Sequence, residues 1–202
     1  RQRQMCIRDR SLLLRPDFEA EHAPMLTLVM GMAACMAIEK ITGLTAEIKW
    51  PNDVVINKKK TTGILTEMGM SEGKISYVVV GIGINLNMES FPEELAYKAT
   101  SLKIECGHEI NRDEIAAALL FYFEQYYEKF EQTHNLGFLI EEYNNHLVNR
   151  GKEVLIKEKD GEYTGISRGI NDKGELLVEK KDGNCVEIFS GEVSVRGLYG
   201  YV

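Results

Sequence analysis

The residues best suited to chemistry lie in one short segment, Lys49-Trp50-Pro51-Asn52-Asp53, with Lys60 seven residues after Asp53. This segment places a cation beside an aromatic side chain, a proline turn and two polar side chains. A carboxylate or phosphate needs a lysine at close range, because electrostatic attraction falls with distance. Further on, Gly81-Ile82-Gly83-Ile84-Asn85 offers glycines on which a flat ligand can lie against backbone. The combination predicts a site for a small acid and a nucleoside triphosphate.

These motifs, in this order, resemble the catalytic domain of the biotin protein ligases. The segment 49–53 looks like that family's central motif, Lys60 with Gly63-Ile64-Leu65 like the next one, and 81–85 like its GxGIN strand. Near the C-terminus, Gly165-Ile166-Ser167-Arg168-Gly169-Ile170 and Gly191-Glu192-Val193-Ser194-Val195-Arg196 resemble the family's small terminal barrel. The resemblance covers residues 11–202, and five ordered motifs are more specific than any one of them.

The resemblance implies a role for each candidate residue. Lys49 would be catalytic, contacting the biotin carboxylate and the acyl phosphate as it forms, since stabilising charge that develops in a transition state is often the largest catalytic effect. Biotin would also contact Gly63, Gly81 and Gly83. The nucleotide would contact Asn52, Asp53, Lys60, Asn85 and Arg196. Asp53 is also a candidate Mg²⁺ ligand beside ATP, because hard cations take carboxylate oxygens.

The implied reaction has two steps. Biotin and ATP give biotinyl-5′-adenylate and pyrophosphate, and the biotinyl group then passes to a lysine of a biotin carboxyl carrier protein domain. Two alternatives stay open: lipoate protein ligation, which shares the fold but is disfavoured by the terminal barrel and the Lys49 motif together, and a non-catalytic ligand-binding remnant. Ordinary structural roles also stay open, such as a solvated strand lysine for Lys49 and a surface charge for Arg196.

Other types of site find little support in the sequence. The glycines of 81–85 lack the third glycine and the following helix that a dinucleotide-binding fingerprint needs. The four histidines show no spacing for a metal or for a nucleophile relay. The net charge of −7 argues against nucleic acid as a partner, because neutralising phosphates needs a basic patch. Four scattered cysteines without a CxxC pair predict free thiols in a reducing cytosol.

The pattern of elements predicts an α+β fold: a mixed sheet with helices, like that of the biotin/lipoate ligases and class II synthetases, followed by a small SH3-like barrel. We expect a non-native extension at 1–10, a partial catalytic domain at 11–150 and the barrel at 151–202. Strands are expected near 11–14, 47–50, 54–57, 63–70 and 74–84, the last two joined by a hairpin turn at Ser71-Glu72-Gly73. Helices are expected over 22–43, closed by Gly43, over 111–132, with Asn111 as N-cap, and over 137–147. Residues 85–111 are expected to be irregular. Five short strands after Gly151 build the barrel.

The apolar run Pro24–Ile38 looks too short for a membrane span, so a buried helix is expected and no membrane partner. The family's glycine- and arginine-rich loop and its upstream Ser-Thr element have no counterpart in these 202 residues. These residues also show no helix-turn-helix pattern. The chain as written is therefore expected to lack ligation activity. A sheet edge left exposed would favour association into a homodimer.

Overall fold

The computed structural model describes residues 10–158, 161–189, 194–197 and 202, with the side chains of 158 and 194–197 outside that description. Its strands are β1 Arg10–Leu14, β2 Glu47–Lys49, β3 Asp53–Ile56, β4 Lys59–Ser71, β5 Lys74–Ile84, β6 Glu153–Glu158, β7 Gly161–Ile170, β8 Leu176–Lys180, β9 Cys185–Ile188 and β10 Ser194–Gly197. Its α-helices are α1 Met25–Thr42, α2 Glu93–Ala96, α3 Leu102–Cys106, α4 Arg112–Thr133 and α5 Ile140–His146. The predicted α+β class is confirmed.

The first sheet is antiparallel and has the strand order β1-β5-β4-β3-β2. Its centre is the long β4–β5 hairpin, predicted from the turn Ser71-Glu72-Gly73. Glu72 and Gly73 both have positive φ, at 52° and 79°, which is the backbone of the tight turn whose twist suits paired strands. Strands β1 and β2 lie at the two edges, so the strand that carries Lys49 has no other strand of this sheet on its outer side.

Helix α1 packs against one face of this sheet and forms the centre of the core. Twelve of its residues are buried, and Gly43 ends it in the left-handed conformation at φ 70°, as predicted. The apolar helical segment, Ala20–Thr42, is longer than the predicted run and long enough to cross a membrane, but 67% of its most apolar stretch is buried inside the fold. Burial on this scale is what a core helix requires, so the expectation of a buried helix is confirmed.

The segment between β5 and α4 is more regular than expected. It contains the short helices α2 and α3, and the hydroxyl of Ser101 accepts a hydrogen bond from the amide of Ile104 at the start of α3. The prediction of an irregular stretch was wrong here because a single serine cap and one turn of helix leave no periodic pattern to detect. Asn111 caps α4 as predicted, accepting from the amide of Asp113.

The second sheet contains the five predicted short strands in the order β10-β6-β7-β8-β9, all antiparallel. Such a small, strongly connected sheet matches the barrel-like domain expected at the C-terminus. Its inner residues, Val154, Ile156, Ile170, Leu176, Val178 and Ile188, belong to the same buried cluster as those of α1 and the first sheet. The two sheets therefore share a core.

Candidate functional site

Pairing across the first sheet brings several predicted site residues into one row. Lys49 of β2 pairs with Asp53 of β3, Asp53 pairs with Gly63 of β4, and Gly63 pairs with Gly83 of β5. Directly paired residues of an antiparallel sheet project from the same face. With strands spaced by about 4.8 Å, the row runs for roughly 14 Å. The Lys49 cation at one end of the row and the glycine backbone at the other end thus lie on the same face of the first sheet.

A groove of about 390 Å³ opens on the face opposite α1. Its walls and floor come from β1, β4, β5 and the turn before β3, through Ser11, Asn52, Lys60, Gly63, Ile64, Leu65, Glu67, Val79, Gly81, Ile82 and Gly83. A Cβ on Gly81 would meet only ordinary neighbours, the Leu65 carbonyl at 3.5 Å and the Ser11 hydroxyl at 3.7 Å. The glycine here is therefore not required by packing, and its missing side chain leaves the groove open.

Lys60 and Asp53 form an ion pair at the rim of the groove, between Nζ and Oδ1. Asp53 is buried, while the Lys60 side chain is 39% exposed. The backbone of Lys60 is held by the 98–100 segment: its amide donates to the Lys98 carbonyl, and its carbonyl accepts from the Thr100 amide. A Cβ on Gly63 would lie 3.2 Å from Lys60 Nζ, so glycine at 63 leaves room for this lysine. Lys60, the last of three consecutive lysines at 58–60, therefore has a defined position at the groove.

Asn52 and Asn85 are both tied to neighbouring backbone. The side-chain amide of Asn52 donates to the backbone carbonyl of Ile64 at 3.1 Å, and the backbone carbonyl of Asn52 accepts from the backbone amide of Ile64. The Asn85 amide group donates to the Thr100 carbonyl at 3.1 Å. Asn52 still lines the groove, whereas Asn85 lies just beyond its described lining. Both contacts stabilise loops around the site, and nucleotide contact by either residue stays a prediction.

The magnesium prediction has limited structural support. The Asp53 carboxylate already contacts the Lys60 ammonium, and a divalent cation at that oxygen would have to displace it. Among the described residues, no group of three or more His, Cys, Asp or Glu side chains could hold a metal. Arg196 is described only as a β10 position paired with Leu155, and its side chain lies outside the described structure. Residues 191–193 of the same motif also lie outside it.

Sequence reasoning did not assign six residues of the groove lining to the site: Ser11, Ile64, Leu65, Glu67, Val79 and Ile82. A usable signal was present, because residues two apart in a strand share a face. Leu65 and Glu67 follow Gly63 in that period, and Val79 precedes Gly81. Glu67 is the acidic member of the groove, and it is exposed.

The Lys60–Asp53 contact makes a measurable prediction about stability. In a double-mutant cycle of Lys60→Met and Asp53→Asn, urea unfolding should give a coupling energy of about 1 kcal/mol, reduced from that of a fully buried pair by the exposure of Lys60. The exposed pair Lys157–Glu162 on the second sheet is the control, and its coupling should stay below about 0.5 kcal/mol. Equal coupling in the two cycles would show that the Lys60–Asp53 pair is an ordinary surface contact.

Comparison with known proteins gives matches along most of the chain. The Biotin/lipoate A/B protein ligase family matches residues 10–85, and the Biotin protein ligase C terminal domain matches residues 151–196. The bifunctional ligase/repressor BirA of Bacillus spizizenii is 37% identical over 187 residues, which are 92% of this chain and 57% of that protein. The chain thus spans little more than half the length of that relative.

A shorter relative is covered more fully. The biotin–[acetyl-CoA-carboxylase] ligase of Paracoccus denitrificans is 30% identical over 190 residues, which are 90% of this chain and 79% of the relative. The crystal structure of the biotin protein ligase from Aquifex aeolicus superimposes with a TM-score of 0.83 at 33% identity, over 94% of this chain and 81% of that one. The same ligase in complex with biotin and ATP gives a TM-score of 0.81 at 32% identity.

Proposed function

The chain belongs to the biotin protein ligase family, and from this premise we propose that it carries out ATP-dependent ligation of biotin to a carrier protein. The observation that supports this most directly is the groove over Gly63, Gly81 and Gly83 with Lys60 and Asn52 at its rim. A flat ring system can lie on such a glycine floor, while Lys60 at the rim attracts the anionic ends of biotin and ATP. The acceptor would be a lysine of a carboxylase carrier domain, and the Paracoccus relative is named as a ligase for acetyl-CoA-carboxylase.

The first step would form the acyl-adenylate. An oxygen of the biotin carboxylate attacks the α-phosphorus of ATP, the bond from that phosphorus to the bridging oxygen breaks, and pyrophosphate leaves. Negative charge increases on the transferred phosphate and on the leaving group. Lys49 and Lys60 would stabilise that charge from two positions on one face of the sheet. Asp53 would hold the Lys60 ammonium at the rim before ATP arrives.

The second step would transfer the acyl group. The ε-amine of the carrier lysine attacks the acyl carbon, the mixed-anhydride C–O bond breaks, and AMP leaves with that oxygen. The amine proton passes to solvent. The groove opens onto the outer face of the sheet, so a carrier lysine can approach without displacing helix α1.

Lipoate ligation is the second candidate, because the family that matches residues 10–85 includes lipoate ligases. The match to the biotin ligase C-terminal domain over residues 151–196 favours biotin. The Bacillus relative is also named a repressor, and we do not propose that function for this chain.

Calorimetric titration with biotin, lipoate and ATP separates these candidates, on the 202-residue chain and on the extended chain, meaning the longest in-frame protein that contains it. We expect the extended chain to bind biotin in preference to lipoate and to release pyrophosphate only when biotin and ATP are both present. Labelled biotin should then appear on a purified carrier domain. Preference for lipoate would support the second candidate, and binding without pyrophosphate release would indicate a non-catalytic protein.

A further inference from the structure

Strand β2, which carries Lys49, is an edge strand with unusual support on its outer side. Ile48, just before Lys49, accepts a hydrogen bond through its carbonyl from the Val148 amide at 3.0 Å. Trp50, just after Lys49, donates its indole N–H to the Gly174 carbonyl at 3.0 Å. Val148 lies in the connection to the second sheet, and Gly174 lies in the turn between β7 and β8. Lys49 is thus flanked on both sides by contacts to the C-terminal part of the chain.

The Gly174 carbonyl, which accepts the hydrogen bond from Trp50, lies in a well-packed turn. The turn is braced by the Asn171 side chain, whose oxygen accepts from the amides of Lys173 and Glu175 at 3.0 Å each. Gly174 has φ 79°, and a Cβ there would lie 2.9 Å from a Leu28 methyl carbon and 3.0 Å from one of Leu136. The turn is therefore packed against α1 and the α4–α5 connection and cannot follow a movement of Trp50.

Trp50 itself is only 3% exposed and belongs to the shared core. A buried indole N–H without an acceptor is unfavourable, so the hydrogen bond to Gly174 selects one position for the ring. On the far side of Pro51, Asn52 is bonded to Ile64 of β4. The short stretch from Lys49 to Asn52 is consequently anchored to the second sheet at one end and to the groove at the other.

We propose that Trp50 is a positioning residue: through its hydrogen bond to the Gly174 carbonyl, the second sheet fixes the strand that carries Lys49. This inference rests on the proposed function and extends that function. Through this bond the second sheet would contribute to adenylate formation, whether or not one of its own side chains touches biotin or ATP. A small displacement of a catalytic group is enough to slow a reaction strongly, because reacting groups must be held in a narrow geometry.

The test compares Trp50→Phe with Asn144→Ala in the extended chain. Phenylalanine keeps an aromatic ring and removes only the donor. Asn144→Ala is the matched control, since Asn144 also makes a buried hydrogen bond to the second sheet, accepting from the Ile170 amide at 2.8 Å, and this bond does not involve β2. Hydrogen exchange of the amides of 47–53 should accelerate about tenfold or more in Trp50→Phe and stay unchanged in Asn144→Ala.

Adenylate formation, measured at a temperature where both variants are folded, should respond in the same way. We expect kcat to fall about tenfold or more in Trp50→Phe, with the KM for ATP within about threefold of wild type, and kcat nearly unchanged in Asn144→Ala. A second variant, Gly174→Ala, moves the acceptor and keeps Trp50, which is the sole tryptophan of the 202-residue chain and serves there as a fluorescent probe. Its emission should shift and its kcat should fall like that of Trp50→Phe.

Unchanged exchange over 47–53 or unchanged kcat in Trp50→Phe would overturn the inference. So would an equal loss of kcat in Asn144→Ala, because it would show a general effect of docking. A wild-type protein that forms no adenylate would refute the proposed function instead, and the exchange rates and the Trp50 emission would still decide whether the second sheet holds β2.

Discussion

Replacing Lys49 with alanine in the extended chain is expected to slow biotinyl-adenylate formation at least about tenfold, a barrier increase of about 1.4 kcal/mol or more. Lys49 shares a sheet face with Asp53, Gly63 and Gly83 and lies on the strand held by Trp50. A fixed ammonium group in that position would stabilise negative charge that increases during the reaction more than charge already present in the substrates. The effect should therefore appear in the chemical step more than in biotin affinity.

The free energy of unfolding should change by less than about 1 kcal/mol in Lys49→Ala, because Lys49 is a half-buried residue at the end of an edge strand. Single-turnover formation of labelled adenylate measures the chemical step, and urea unfolding measures stability. Lys74→Ala, an exposed lysine at the start of β5, is the control and should leave both unchanged. Adenylation at the wild-type rate in Lys49→Ala would remove Lys49 from the reacting centre.

Much of the first sheet could be predicted because its signals are local. Two apolar runs mark β4 and β5, and Ser71-Glu72-Gly73 marks the turn that joins them. The turn pairs Ser71 with Lys74 and Met70 with Ile75, but a bulge between Gly69 and Met70 then shifts the register by one residue, and that shift places Gly63 opposite Gly83. The clustering of the predicted glycines in one groove is a consequence of that register.

The features that could not be predicted depend on contacts between distant parts of the chain. Trp50 and Gly174 are 124 residues apart, and neither residue type nor spacing indicates their hydrogen bond. The contact between Lys60 and Asp53 depends on the 98–100 segment, which holds the backbone of Lys60 and was expected to be irregular. Local propensity carries no information on such contacts, because they form only when the complete core brings the elements together.

The second prediction with a large expected effect concerns the groove and uses the series Gly81→Ala, Gly81→Val and Gly81→Leu. Gly81 lies inside β5 without a positive φ, and a Cβ there has ordinary contacts at 3.5 Å and 3.7 Å. A side chain is therefore tolerated by the backbone, and a β-branched residue suits a strand better than glycine does. The free energy of unfolding should stay unchanged in this series or rise by up to about 1 kcal/mol in Gly81→Val.

Ligand binding should respond in the opposite direction, because each added carbon occupies the floor on which biotin would lie. We expect biotin affinity to fall with side-chain size and to be weaker by at least about a hundredfold in Gly81→Leu, which is about 2.7 kcal/mol. Calorimetric titration with biotin gives the affinity, and urea unfolding of the same samples gives the stability. Loss of affinity together with loss of stability would mean that the substitutions disturb the sheet. Wild-type affinity in Gly81→Leu would mean that biotin does not lie on Gly81, and the groove would then lose its role in the proposed reaction.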